Sequence, residues 1–288
     1  MNNRSFPRTA GSLLVAAGLL ASCALRKDPA LEISLKVPRQ YMAVGDFQRA
    51  IEFYQSAFLK FPEEAGVRSE YVRALEQMKR DADRAFQAGE FPAADKTYSI
   101  LLENYPRFKE LEGEISFRPP FLDRRVRECR MILAEGQAQK SLQERDFKRA
   151  FNAYKIAGME RAKDSDLMAS YKYLLEEVKR LADAALAGKD FKTAGAGYAS
   201  LLKEFAVARE VGQLPSYTLQ SLEEGLNNCR TQITRMGMEE YRKGNLRGAI
   251  VLWQSLLEFD PGNAEIQKAV ETATEQIRKL KKDAPEKK

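Results

Sequence analysis

Apolar residues along this chain recur at helical spacing, and a short phrase recurs with them. A turn residue, then Asp, Glu or Asn, then Phe or Leu, with Ala three positions on, occurs at Gly45-Asp46-Phe47…Ala50, Gly89-Glu90-Phe91…Ala94, Arg145-Asp146-Phe147…Ala150, Lys189-Asp190-Phe191…Ala194 and Gly244-Asn245-Leu246…Ala249. Four residues past each Ala stands an aromatic (Tyr54, Tyr98, Tyr154, Tyr198, Trp253), and three further an apolar residue (Ala57, Leu101, Ala157, Leu201, Leu256). Offsets of four and three gather these side chains on one helix face. The pattern predicts short helices of about 13 residues from 47, 91, 147, 191 and 246, each preceded by a longer one, over 63–88, 121–144, 163–188 and 218–243 for the last four. Pro62, Pro106, Pro119, Pro120, Pro215 and Pro261 fall between these segments, Pro92 sits in a first turn, and no proline interrupts 121–214. Asp46, Asp146, Asp190 and Asn245 are placed to cap the second helices, and Gly45, Gly89, Gly188 and Gly244 to end the first.

The phrases begin at 45, 89, 145, 189 and 244, so two intervals alternate and the pair returns after 99 to 100 residues. The same register carries Tyr71, Leu75, Glu76, Lys79, Arg80, Ala82, Asp83 and Ala85 into Tyr171, Leu175, Glu176, Lys179, Arg180, Ala182, Asp183 and Ala185, and Cys129-Arg130 into Cys229-Arg230. The expectation is an all-α chain of about five helical hairpins, a duplicated block of about 100 residues plus a final unit.

These hairpins resemble tetratricopeptide (TPR) repeats. The last unit is the nearest match, through Gly237, Tyr241, Gly244, Ala249, Trp253 and Pro261. The first resembles the family through Tyr41, Gly45, Phe47, Ala50, Tyr54, Ala57 and Pro62, and the second through Ala82, Gly89, Ala94, Tyr98 and Pro106. The third and fourth carry Ala162 and Ala206 where the family has proline, and their linking helices exceed its period. The resemblance, over 36–280, implies a right-handed solenoid whose first helices line a concave binding surface.

Before the repeats, Arg4 and Arg8 precede the apolar run Gly11–Leu20, which is short for a membrane span of roughly 20 residues and has the layout of a secretory signal. Its end, Leu20-Ala21-Ser22-Cys23, resembles a bacterial lipoprotein signal. That resemblance implies a diacylglycerol on the Cys23 thiol, cleavage that leaves Cys23 as the new N-terminus, and, with Ala24 rather than Asp next, an outer-membrane address with a periplasmic repeat domain. The alternative is an uncleaved signal anchor with an incidental cysteine. The expected organisation is signal 1–22, lipidated N-terminus and tether 23–35, repeats 36–280 and a Lys-rich disordered tail 281–288.

Composition removes much chemistry. With no histidine, the Ser-His-Asp and Cys-His nucleophile systems and His-bearing metal sites are excluded, and three cysteines are too few for a four-cysteine zinc site. Lys+Arg number 47 and Asp+Glu 41, mixed along the chain, so nucleic acid is not the expected partner. Cys129 and Cys229 are expected as buried free thiols. No catalytic residue, metal or cofactor is assigned, and no enzyme activity is expected. Candidate partner-binding residues are the duplicated pairs Lys79-Arg80 and Lys179-Arg180, with Arg124 and Arg127 from the stretch Arg118, Arg124, Arg125, Arg127 and Arg130. The plainer reading of each is a solvated helix face. The expected function is a lipid-anchored envelope scaffold that gathers protein partners, in assembly of a secretion, pilus, polysaccharide-export or outer-membrane complex. The alternative is a non-enzymatic polysaccharide- or peptidoglycan-binding lipoprotein using the Arg stretch and segments 107–120 and 207–217.

Overall fold

The computed structural model describes residues 29–158 and 165–282. Among these residues every regular element is helical: α1 (Pro29–Ala43), α2 (Phe47–Lys60), α3 (Ala65–Gln87), α4 (Phe91–Glu103), a 3-10 segment (Tyr105–Leu111), α5 (Pro119–Gln143), α6 (Phe147–Ile156), α7 (Ser165–Ala187), α8 (Phe191–Glu210), α9 (Leu219–Arg242), α10 (Leu246–Phe259) and α11 (Ala264–Lys282). The expected signal 1–22 and Cys23 lie outside the described residues, as do tail residues 283–288. Helix α1 begins at Pro29, inside the stretch expected as tether, because Leu35 and Pro38 form an apolar face that is buried.

Each recurring phrase folds as one device that stops a helix and starts the next. The N–H of its second residue reaches back five positions, from Asp46 to the Tyr41 carbonyl at 3.0 Å, Glu90 to Ala85 at 2.8 Å, Asp146 to Ser141 at 2.9 Å, Asp190 to Ala185 at 2.8 Å and Asn245 to Glu240 at 2.9 Å. This is a Schellman closure, which needs a left-handed residue just before it. The side chains of Asp46, Asp146, Asp190 and Asn245 then accept the N–H three residues on, at 3.3, 2.9, 3.1 and 3.1 Å. Glu90 makes no such side-chain bond.

Left-handed backbone falls on Gly45, Gly89, Arg145, Lys189 and Gly244, with φ of 72°, 78°, 60°, 63° and 80°. Gly188, expected to end α7, is therefore not the special residue. The closure fixes the left-handed position relative to the cap Asp190, which puts it on Lys189, while the Gly188 N–H completes the last turn on the Ala184 carbonyl at 2.9 Å.

The long helices α3, α5, α7 and α9 fall within about two residues of their expected ends. Pro119 and Pro120 open α5 instead of preceding it, since a first turn has no need of their missing N–H groups. Helix α8 runs for 20 residues where about 13 were expected, whereas α4 stops after 13. Pro106, lacking a donor N–H, turns the chain after α4 into the 3-10 segment; a hundred positions on, Ala206 lets α8 continue to Glu210.

The chain divides into two compact units, 1–71 and 72–288, at a boundary inside α3. In the first, Tyr54 stacks on Tyr71 at 5.4 Å and Tyr41 on Phe53 at 5.3 Å. Arg39 holds Glu70 through two nitrogens at 2.7 and 2.6 Å and Glu32 at 2.5 Å, which raises the pKa of its guanidinium.

In the second unit successive helices pack on their chain neighbours, and α8 also touches α6 and α10. The repeated Ala94, Ala150, Ala194 and Ala249 are fully buried, and Tyr98, Tyr154, Tyr198 and Trp253 are no more than 3% exposed. Small residues let backbones approach while the rings fill the space between helices. Cys129 and Cys229 are free, buried thiols, each pushed up to about 11 by burial.

Candidate binding surfaces

Lys79 and Lys179 occupy equivalent places on α3 and α7. Lys79 Nζ lies 2.7 Å from Asp83, whose carboxylate also accepts the Tyr98 hydroxyl at 2.5 Å. Lys179 lies 2.6 Å from Asp183, which accepts the Tyr198 hydroxyl at 2.7 Å. Each ammonium also stands over rings, Lys79 at 5.3 Å from the Phe121 centroid and Lys179 at 5.8 Å from those of Tyr198 and Tyr217. Their side chains are 23% and 19% exposed. The Asp83 and Asp183 carboxylates thus tie each first helix to the second helix after it, and each lysine is engaged by that carboxylate from its own helix. Burial, followed by the bond to an ionised carboxylate, raises the pKa of both tyrosine hydroxyls.

The neighbouring arginines differ, for Arg80 and Arg180 are exposed. Arg80 donates to Gln77 at 2.9 Å, and Arg180 grips Glu177 at 2.8 and 2.6 Å, holding that carboxyl below its ordinary range. Of the arginine stretch, Arg118 donates to the carbonyls of Ile115 and Phe117, Arg125 lies 4.6 Å from the Phe86 ring centroid, and Arg130 binds Asp95 at 3.1 Å. Arg127 pairs with Asp123 at 3.0 Å, and Arg124 lies 3.9 Å from Glu128 with its side chain 61% exposed. Arg124 and Arg125 share Glu128 and the Phe121 ring, while Arg118, Arg127 and Arg130 each serve other local partners.

Segments 107–120 and 207–217 are tied down in the same way. Glu76 accepts the Ser116 N–H and hydroxyl at 2.5 and 2.9 Å, and Glu176 those of Ser216 at 2.6 and 2.8 Å. The duplication thus extends to a loop clasp, and these carboxylates serve the fold.

Two surface features escaped sequence reasoning. Tyr173 is 72% exposed on α7, seven residues before Arg180 and so on the same helix stripe. It lies outside the repeated phrase, and spacing alone gave no sign of its exposure. The second is a groove of about 750 Å³ along the second helices α6 and α8, lined also by Glu258 and Phe259 of α10. Its floor includes Phe151, Ala196 and Ala199, and its rim Lys148, Asn152 and Lys203. At its side the buried Glu204 accepts from Lys155 at 2.7 Å and from the Tyr171 hydroxyl at 2.9 Å.

Among the described residues, no three His, Cys, Asp or Glu side chains gather as a metal-holding group, and no helix is long and apolar enough to cross a membrane. No family model matches this chain, and no curated protein does.

Proposed function

We propose that this chain is a lipid-anchored scaffold of the bacterial envelope, held to the outer membrane through Cys23, whose TPR-like hairpins form a right-handed solenoid that gathers protein partners on its first helices. The observation that carries the reading is the exposed Tyr173, which shares a stripe of α7 with Arg180. Tyrosine and arginine recur as the residues that dominate protein interfaces, and a 72% exposed ring has no role in this chain's own core. Arg80 stands at the equivalent place on α3. Arg180 holds Glu177 through Nε and one terminal nitrogen, leaving the other edge of its guanidinium for a partner carboxylate, while the Asp83–Tyr98 and Asp183–Tyr198 bonds keep each first helix docked.

Two measurements test the reading. Acyl labelling of the wild-type protein should be lost in Cys23→Ser. Crosslinking in envelopes should recover at least one protein partner, with recovery falling about tenfold in a Tyr173→Ala/Arg180→Ala variant of unchanged helicity. Undiminished recovery would remove the α7 stripe from the interface. Recovery of glycan and no protein would replace this reading with the polymer-binding one.

A further inference from the structure

We propose that the groove between α6 and α8 is a docking site for an acidic peptide segment of a partner protein; this rests on the scaffold reading and gives one partner its chemistry. The charge balance of the groove is the main argument. Its three carboxylates are already engaged: Asp146 caps α6, Glu204 holds Lys155 and Tyr171, and Glu258 holds Lys192 at 2.8 Å. Lys148 and Lys203, by contrast, are exposed on opposite walls, and among the described residues no carboxylate lies within ion-pair distance of either. Arg145 also lines the groove, its charge partly offset by Glu177, so the uncompensated charge is that of the two lysines. A ligand that enters therefore meets uncompensated positive charge above an apolar floor.

The shape of the groove favours a peptide. Ala196, Ala199 and Ser200 give the α8 side of the groove only small side chains, which leave room for a chain laid along it. Asn152 is exposed and among the described residues makes no side-chain hydrogen bond, leaving an amide that offers both a donor and an acceptor to a peptide main chain. A sugar polymer calls for exposed ring faces. Here Phe147 and Phe151 are 2% and 1% exposed, and Phe151 meets Tyr171 edge-on at 6.0 Å. Small apolar side chains reach such a floor, with carboxylates reaching the lysines on either wall.

The test pans a phage-displayed library of random peptides about a dozen residues long, enough to span the groove in extended form, against the purified full-length protein. Selected peptides should be enriched in Asp and Glu. The affinity of a synthesised winner should fall with salt and drop at least tenfold in Lys148→Glu/Lys203→Glu, a pair of exposed changes that leaves the core untouched. Asn152→Trp, which fills the groove, should weaken binding without altering charge. The same peptide should bind Tyr173→Ala/Arg180→Ala normally. Selection without acidic enrichment, or affinity unchanged by the lysine pair, overturns the proposal. So does an anionic polysaccharide such as alginate that binds through these lysines when no peptide does. Envelope crosslinking separates the two readings: partner recovery that needs Tyr173 and Arg180, in a protein whose groove binds no acidic peptide, preserves the scaffold and rejects the groove.

Discussion

Adding one methyl group to a helix should stabilise this protein at one glycine and destabilise it at another. Gly136 lies exposed in α5, and a Cβ built there meets nothing within 4 Å. Gly136→Ala should therefore gain the ordinary helix preference of alanine over glycine, about 1 kcal/mol. Gly237 is buried in α9 beneath Trp253, and a Cβ there falls 2.1 Å from the indole Nε1, 2.5 Å from Cδ1 and 2.7 Å from Cε2. Ordinary carbon contacts stand near 3.5–4.0 Å, so the ring has to retreat by more than about 1 Å. It has little room to do so, being 2% exposed with Tyr241 against it at 5.8 Å. Overpacking of this kind costs about 1–3 kcal/mol, with more expected at so short an approach, and it outweighs the same propensity gain. Taking the upper end of that cost, the net loss is about 2 kcal/mol, or roughly 4–8 °C in melting temperature at the 2–4 °C per kcal/mol of a domain this size. Melting followed at 222 nm should separate the two variants in opposite directions from wild type. Trp253 is the only tryptophan, so its emission reports the site directly and should shift in Gly237→Ala alone. A Gly237→Ala protein that melts higher than wild type with unchanged emission would refute this account of the packing.

Lys189→Gly should raise stability by about 0.5–1 kcal/mol in urea titration, because Lys189 has a φ of 63° that glycine adopts without strain; Gly188→Lys, one position earlier, should bring no such gain. The tyrosine ties predict an alkaline weakness. Tyr98 and Tyr198 have folded pKa values raised above their unfolded value near 10, so the unfolded chain releases these protons first. Their contribution is complete below about pH 9, where the unfolded tyrosines are still protonated, and is lost as pH rises toward the folded values, so urea midpoints should fall from about pH 9 to about pH 11, and less steeply in Tyr98→Phe/Tyr198→Phe. Each Phe variant alone should cost about 1–3 kcal/mol near neutrality, through loss of a hydrogen bond to an ionised carboxylate. Cys129 and Cys229, buried and pushed up to about 11, should resist iodoacetamide until the chain unfolds; mass spectra showing both alkylated in a fully helical protein would contradict their burial.

Local chemistry was legible in the sequence because its interactions span few residues. A capping Asp and its target N–H are three positions apart, and a Schellman closure spans six, so the recurring phrase located each junction before any packing was considered, although at the α7–α8 junction it pointed to Gly188 where Lys189 is the left-handed residue. The ends of α3, α7 and α9 followed from it, and so did burial of the alanine and aromatic positions, since offsets of four and three always share a helix face. The missing proline at 206 was also visible, although only the folded chain shows α8 using that freedom to reach Glu210.

What the sequence did not determine depends on pairs of residues far apart along the chain. Lys79 and Lys179 looked like surface charges because nothing local says that Asp83 and Asp183 bind a tyrosine from the following helix. Tyr173 resembled any other tyrosine until the packing of α7 turned it outward at 72% exposure. Lys148 and Lys203 sit on second helices that belong to different hairpins, and only the meeting of α6 with α8 makes them opposite walls of one groove. Hydrogen-bonded turns and helix faces are set by near neighbours in sequence. Which charges are used up inside the fold, and which are left facing an open groove, is set by how whole helices meet.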